Sequence, residues 1–114
     1  MASEFLLIGN EIERRKINVN SILYVKIDDY LSTFFLTNNQ KFICSKSLSE
    51  IMAYFPDHFF KINRAYIVNL DEVLSVQRNI RKIILTDATE LKVSLRRMKS
   101  FNVALARQNM AVTS

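Results

Sequence analysis

Glycine and proline each occur once in these 114 residues, and tryptophan not at all. One glycine leaves no material for a phosphate-cradling loop, and no serine, histidine and carboxylate fall at a recognised catalytic spacing. Catalysis is not expected. The lone cysteine, Cys44, excludes an intramolecular disulfide and points to a reducing compartment. It sits in the strand-like stretch 41–45 and reads as a buried structural thiol, not a nucleophile. With one histidine, His58, a tetrahedral metal site would rest on scattered carboxylates, so neither metal nor other cofactor is expected. No apolar run approaches the ~20 residues of a membrane-spanning helix. The run Phe5-Leu6-Leu7-Ile8 follows Glu4 and is too short for a signal peptide. A soluble cytoplasmic protein is the expectation.

What the chain does have is apolar mass and positive charge. Hydrophobic residues make up 49%, which suits a globular chain, and the length suits a single domain with one core. The formal charge of +5 suits a partner that is nucleic acid, an anionic membrane surface or an acidic protein, and charge alone does not choose among them.

Periodicity predicts short strands with frequent turns. Residues 5–8 and 11–17 read as a hairpin turned by Gly9-Asn10, with glycine taking the positive φ of a tight turn. The cluster Arg14-Arg15-Lys16 in its second strand reads as charge protecting a sheet edge, or as part of a binding face. Residues 22–27 alternate, with Leu23, Val25 and Ile27 on one parity. Asp28-Asp29 ends that strand, residues 30–36 form the next, and Asn38-Asn39 suits a two-residue turn back into 40–45. The period then becomes helical. Leu48, Ile51, Met52 and Phe55 form a core-facing stripe, Ser47 and Glu50 fit a capping box, and Pro56 terminates the helix.

Residues 59–70 mix apolar and polar side chains less regularly than an ordinary strand. Lys61, Asn63 and Arg64 interrupt Phe60, Ile62, Ala65, Ile67 and Val68, and Asn69 closes the run with turn chemistry. The stretch is either a loop and strand presenting a basic surface to a polyanion or a half-buried strand with solvated charges. Further strands are expected at 73–78, 81–85 and 90–93. Ser94 then reads as the N-cap of a closing helix with Leu95, Met98, Phe101 or Asn102, and Leu105 at helical spacing. Arg96, Arg97 and Lys99 crowd its first turns, where the exposed amides disfavour cations. An incoming phosphate or base edge would account for them; so would simple tolerance in solvent.

Together, Ile22-Leu23-Tyr24, Ser47-Leu48, the stretch Phe60-Lys61-Ile62-Asn63-Arg64-Ala65-Tyr66-Ile67-Val68-Asn69 and Val93-Ser94-Leu95-Arg96-Arg97 resemble the LytTR domain, the DNA-binding output domain of many bacterial response regulators. The resemblance spans about residues 5–107, leaving 1–4 and 108–114 as flexible termini. It implies a mainly β fold of small antiparallel sheets, with a short helix after Ser47 and a C-terminal helix after Ser94. It also implies DNA contacts from loops, and the matching positions are Tyr30, Asn63, Arg64 and Arg96. A guanidinium grips a guanine edge or a phosphate with two hydrogen bonds, and Asn63 can pair with adenine or a phosphate. Lys61, Arg97 and Lys99 would hold the backbone as point charges, while Tyr66 and Asn69 are structural supports, one packing and one fixing the turn.

Lys61, Asn63 and Ala65 stand where the family usually has arginine, histidine and serine, and Asn39 and Ala88 where glycine is common. Those departures bear on base preference more than on fold. The expected function is sequence-specific double-stranded DNA binding in transcription control, as an output domain or a stand-alone regulator, with a homodimer on paired sites. A competing reading is a protein-interaction module using sheet edges or the aromatic surface of Phe34, Phe35 and Phe42. Single-stranded nucleic acid is a third, and would need exposed aromatics beside basic residues.

Overall fold

The computed structural model describes residues 5–45 and 48–108, except the side chains at 48 and 51. It is mainly β, built from small antiparallel sheets with one longer helix at the C-terminal end. The chain divides into two compact units, residues 1–56 and 57–114.

In the first unit, β1 (Phe5–Gly9) pairs antiparallel with β2 (Arg14–Asn18), placing Leu6, Ile8 and Ile17 inward. The turn differs from the expected one, because no glycine has positive φ. The second strand starts later, and Asn10 organises the loop: its Oδ1 accepts from the Ile12 and Glu13 amides at 2.9 and 3.0 Å, and its Nδ2 donates to Ile43 O at 2.7 Å. Space at Gly9 is tight, since a Cβ there would lie 3.1 Å from Arg14 Cγ and from Glu13 O. Along β2, Arg15 pairs with Glu13 at 3.0 Å and lies over the Phe42 ring, while Lys16 lies over Phe5.

Strands β3 (Ile22–Asp28), β4 (Leu31–Leu36) and β5 (Lys41–Cys44) form a meander. A bulge at Leu23 breaks the parity, so Ile22 and Leu23 are both buried. Asp29 and Asn39 take the positive φ values of the two turns, 52° and 65°. The second turn has three residues rather than two, because Leu36 N–H donates to Gln40 O. Phe34 and Phe42 are core residues, so of the three phenylalanines considered for an interaction surface only Phe35 is half-buried, stacked on Tyr24 at 4.4 Å. Cys44 is free and fully buried. In α1 (Leu48–Met52) the stripe does not all face the core: Met52 is exposed, while Phe55 just beyond meets the Phe34 ring. Ser47, and with it the capping box, lies outside the described residues, as do the expected flexible termini apart from Gln108.

In the second unit, β6 (Phe59–Asn63) and β7 (Tyr66–Asn69) form a hairpin, and β8 (Val73–Gln77), β9 (Lys82–Leu85) and β10 (Glu90–Lys92) a three-stranded sheet in the order β10-β9-β8. Asn69 is buried, and its Oδ1 accepts the Asp71 amide at 3.0 Å to open a 3-10 turn. Arg81 and Ala88 occupy left-handed turn positions, at φ 54° and 74°.

The closing helix starts later than Ser94 suggests. A 3-10 turn, Leu95–Arg97, precedes α2 (Met98–Gln108), and Ser94 makes no side-chain capping bond. Leu95 is 74% exposed and does not join the apolar stripe, which is anchored by the fully buried Phe101. Phe60 is half-buried, edge-on to Phe101 at 5.7 Å, so the deep anchors of its strand are Phe59 and Ile62.

Candidate nucleic-acid interface

The irregular polarity of residues 59–70 has a structural cause. Lys61 faces Ile67 and Asn63 faces Tyr66, which leaves Ile62 as one extra residue on β6, a bulge whose side chain is fully buried. A bulged residue loses its ladder partner, and the Ile62 carbonyl finds another in the Ser94 N–H at 2.9 Å. The bulge thereby ties the segment before α2 to the β6–β7 hairpin.

Asn63 adds a second tie. Its Oδ1 accepts the Ala65 amide at 2.8 Å, closing an Asx-type turn, and its Nδ2 donates to Lys92 O at 2.7 Å. Between these anchors Arg64 is carried at the exposed hairpin tip. From the other side, Arg97 Nη1 reaches Lys61 O at 3.4 Å and is half-buried, while Arg96, its neighbour in the 3-10 turn, is exposed.

These elements enclose an open cleft of about 330 Å³ lined by Asn63, Arg64, Ser94, Arg96 and Arg97. The lining has three guanidinium groups and no carboxylate. Neither Arg64 nor Arg96 has an ion-pair partner among the described residues. The buried Ser94 hydroxyl, assigned to capping by the sequence, has no hydrogen-bond partner among them. Unpaired, closely set guanidinium groups repel one another and gain most from an anion with several acceptor oxygens, to which each can donate in parallel.

Of the expected contact residues, Asn63, Arg64, Arg96 and Arg97 therefore meet in one cleft. Lys61 lies next to it on β6, its carbonyl held by Arg97 and its side chain half-exposed. Lys99 does not line this cleft; it lines a second one along α2 with Phe60 and Arg107. Tyr30 belongs to the first unit, 86% exposed at the turn between β3 and β4. The second cleft was missed, although Lys99, Val103 and Arg107 recur at intervals of four in the sequence. No group of three or more histidine, cysteine, aspartate or glutamate side chains is placed to hold a metal among the described residues. Nor is any described helix long and apolar enough to cross a membrane.

No curated protein matches the chain. Among solved structures it is similar to the LytTr DNA-binding domain assigned to a methyl-accepting/DNA response regulator from Bacillus cereus. The TM-score is 0.76 at 15% identity, over 89% of this chain and 95% of that one. The family model for the LytTr DNA-binding domain matches residues 13–106, which include the bulge, the hairpin tip and the arginine-bearing turn. The chain belongs to the LytTr DNA-binding domain family, and its function is to bind DNA.

Proposed function

We propose that residues 5–107 act as one domain that recognises particular double-stranded DNA sequences in bacterial transcription control, in the cytoplasm, as the output domain of a response regulator or as a free-standing regulator. The observation that carries this reading is the pairing of Arg64 and Arg96, two exposed guanidinium groups without ion-pair partners among the described residues, in one cleft whose lining has no carboxylate. Each can take a guanine edge or a phosphate with two parallel hydrogen bonds.

Arg97 and Lys61 add charge for the sugar–phosphate backbone, Lys99 stands apart from this interface in the cleft along α2, and Tyr30 supplies an exposed ring and hydroxyl from the first unit. The structure favours a supporting role for Asn63, because both ends of its amide already serve the hairpin and β10. A homodimer on paired sites completes the proposal.

Selection of sites from a random duplex pool with the purified protein tests it. Enrichment of a paired motif, spaced near a whole number of helical turns, is the expected result. Retention of all sequences alike would refute sequence-specific recognition, and enrichment of single sites would refute paired occupancy.

A further inference from the structure

The second cleft has a character that DNA does not match. It has a volume of about 400 Å³ and is lined by Phe60, Lys99, Ser100, Val103, Ala104 and Arg107. Lys99, Val103 and Arg107 stand at i, i+4 and i+8 on α2, a cation–apolar–cation stripe along one face about 12 Å long. Beside it, Ser100 and Ala104 are small, which opens a trough down to the half-buried Phe60 ring. Val103 is 49% exposed. From Leu95 to Gln108 the chain carries four cations and no acidic residue, so no carboxylate of this segment neutralises the rim.

A phosphodiester backbone satisfies the rim and leaves the apolar floor uncovered. A chain that brings both charge and hydrocarbon satisfies both. We propose that this face of α2 is a docking site for an acidic amphipathic protein segment, with one large apolar side chain over Ala104 against Phe60 and Val103. Carboxylates on either side meet Lys99 and Arg107. Charge complementarity at the rim steers and orients the partner, and burial of the central apolar group holds it. The site is separate from the arginine cleft, whose lining residues are Asn63, Arg64, Ser94, Arg96 and Arg97.

The probe is a helical peptide with glutamate, leucine and glutamate at i, i+4 and i+8, set against its lysine–leucine–lysine counterpart. Both are titrated into the isotopically labelled full chain. The acidic peptide is expected to shift backbone resonances of Phe60 and residues 99–107, and the basic peptide to leave them unmoved. Val103→Glu and Ala104→Trp, which charge and fill the trough, are each expected to weaken the peptide by about tenfold or more, as loss of a central anchor does. Operator DNA binding should remain at the wild-type level in both variants. The proposal is overturned if the acidic peptide fails to bind at millimolar concentration, if its shifts centre on Arg64 and Arg96, or if both variants bind it as wild type does.

Discussion

Replacing Asn63 by alanine separates a residue that reads DNA from one that holds the reader in place. Its two hydrogen bonds differ in setting: the bond from the Ala65 amide is partly buried, while the bond to Lys92 O faces solvent. A hydrogen bond contributes about 0.5–1.5 kcal/mol net, with water replacing an exposed one at the low end. Asn63→Ala is therefore expected to cost about 1–2 kcal/mol, since the Ala65 donor loses its acceptor while Lys92 O turns to water. In a domain of this size each kcal/mol moves the midpoint by about 4–8 °C, so thermal unfolding resolves the effect.

DNA titration well below both midpoints supplies the other half of the test. Asn63→Ala should retain binding within about tenfold, a loss of less than 1.4 kcal/mol, because Arg64 and Arg96 remain. Asn63→Asp keeps an acceptor for Ala65 but turns an oxygen toward Lys92 O and adds negative charge to the cleft. Its DNA affinity should fall further than that of the alanine variant. An unchanged unfolding midpoint, with a loss of DNA affinity as large as that of Arg64→Ala, would refute the supporting role and make Asn63 a direct contact.

Arg64→Ala and Arg96→Ala should each cost about 1–3 kcal/mol at the preferred site and relax discrimination there. Their stability should change by less than about 0.5 kcal/mol, because both side chains are exposed and neither is ion-paired among the described residues; wild-type binding to operator and random DNA by both variants would exclude the arginine cleft. The log–log salt dependence of wild-type binding should have a slope of about −0.9 per contacted phosphate, and a flat dependence would exclude backbone contacts. Tyr30→Ala should leave the unfolding midpoint unmoved, given its 86% exposure, and lower DNA affinity; an unchanged affinity removes Tyr30 from the interface. Ala88→Gly should stabilise the protein by about 0.5–1 kcal/mol, because left-handed geometry penalises a Cβ and the site is exposed. A lowered midpoint in chemical denaturation would contradict that.

Hydrophobic alternation made most strands legible, and Asn39 and Ala88 were correctly placed at turns that favour glycine. Alternation could not show the bulges at Leu23, Ile62 and Leu74, since an extra residue in the ladder leaves no mark on composition. The first is why Ile22 and Leu23 are both buried despite the alternation of residues 22–27, and the second is why residues 59–70 depart from the pattern of an ordinary strand. Ser94 does precede the helical segment, but α geometry begins only at Met98, for a related reason. The Ser94 amide is bound to the Ile62 carbonyl, and the first helical turn tightens to 3-10 geometry before Met98. Within the arginine cleft, residue types suggested cations and a polyanion. Residue types do not reveal that the Asn63 amide is already engaged at both ends, although an asparagine two residues before the amide it accepts is itself a turn signal.

The bulge at Ile62 has a bearing on how such a domain can change its target. The bond that seats the arginine-bearing turn runs from main chain to main chain, Ser94 N–H to Ile62 O, and so does not depend on which side chains flank it. Lys61, Arg64, Ala65 and Arg96 are thus open to substitution while the mount beneath them keeps its shape, and on the proposed reading point changes there would alter the preferred DNA sequence. Length is under a stricter constraint than identity. Deleting Ile62 would restore an unbroken ladder and withdraw the carbonyl that seats Ser94, and on the proposed reading it would weaken binding to all DNA sequences alike.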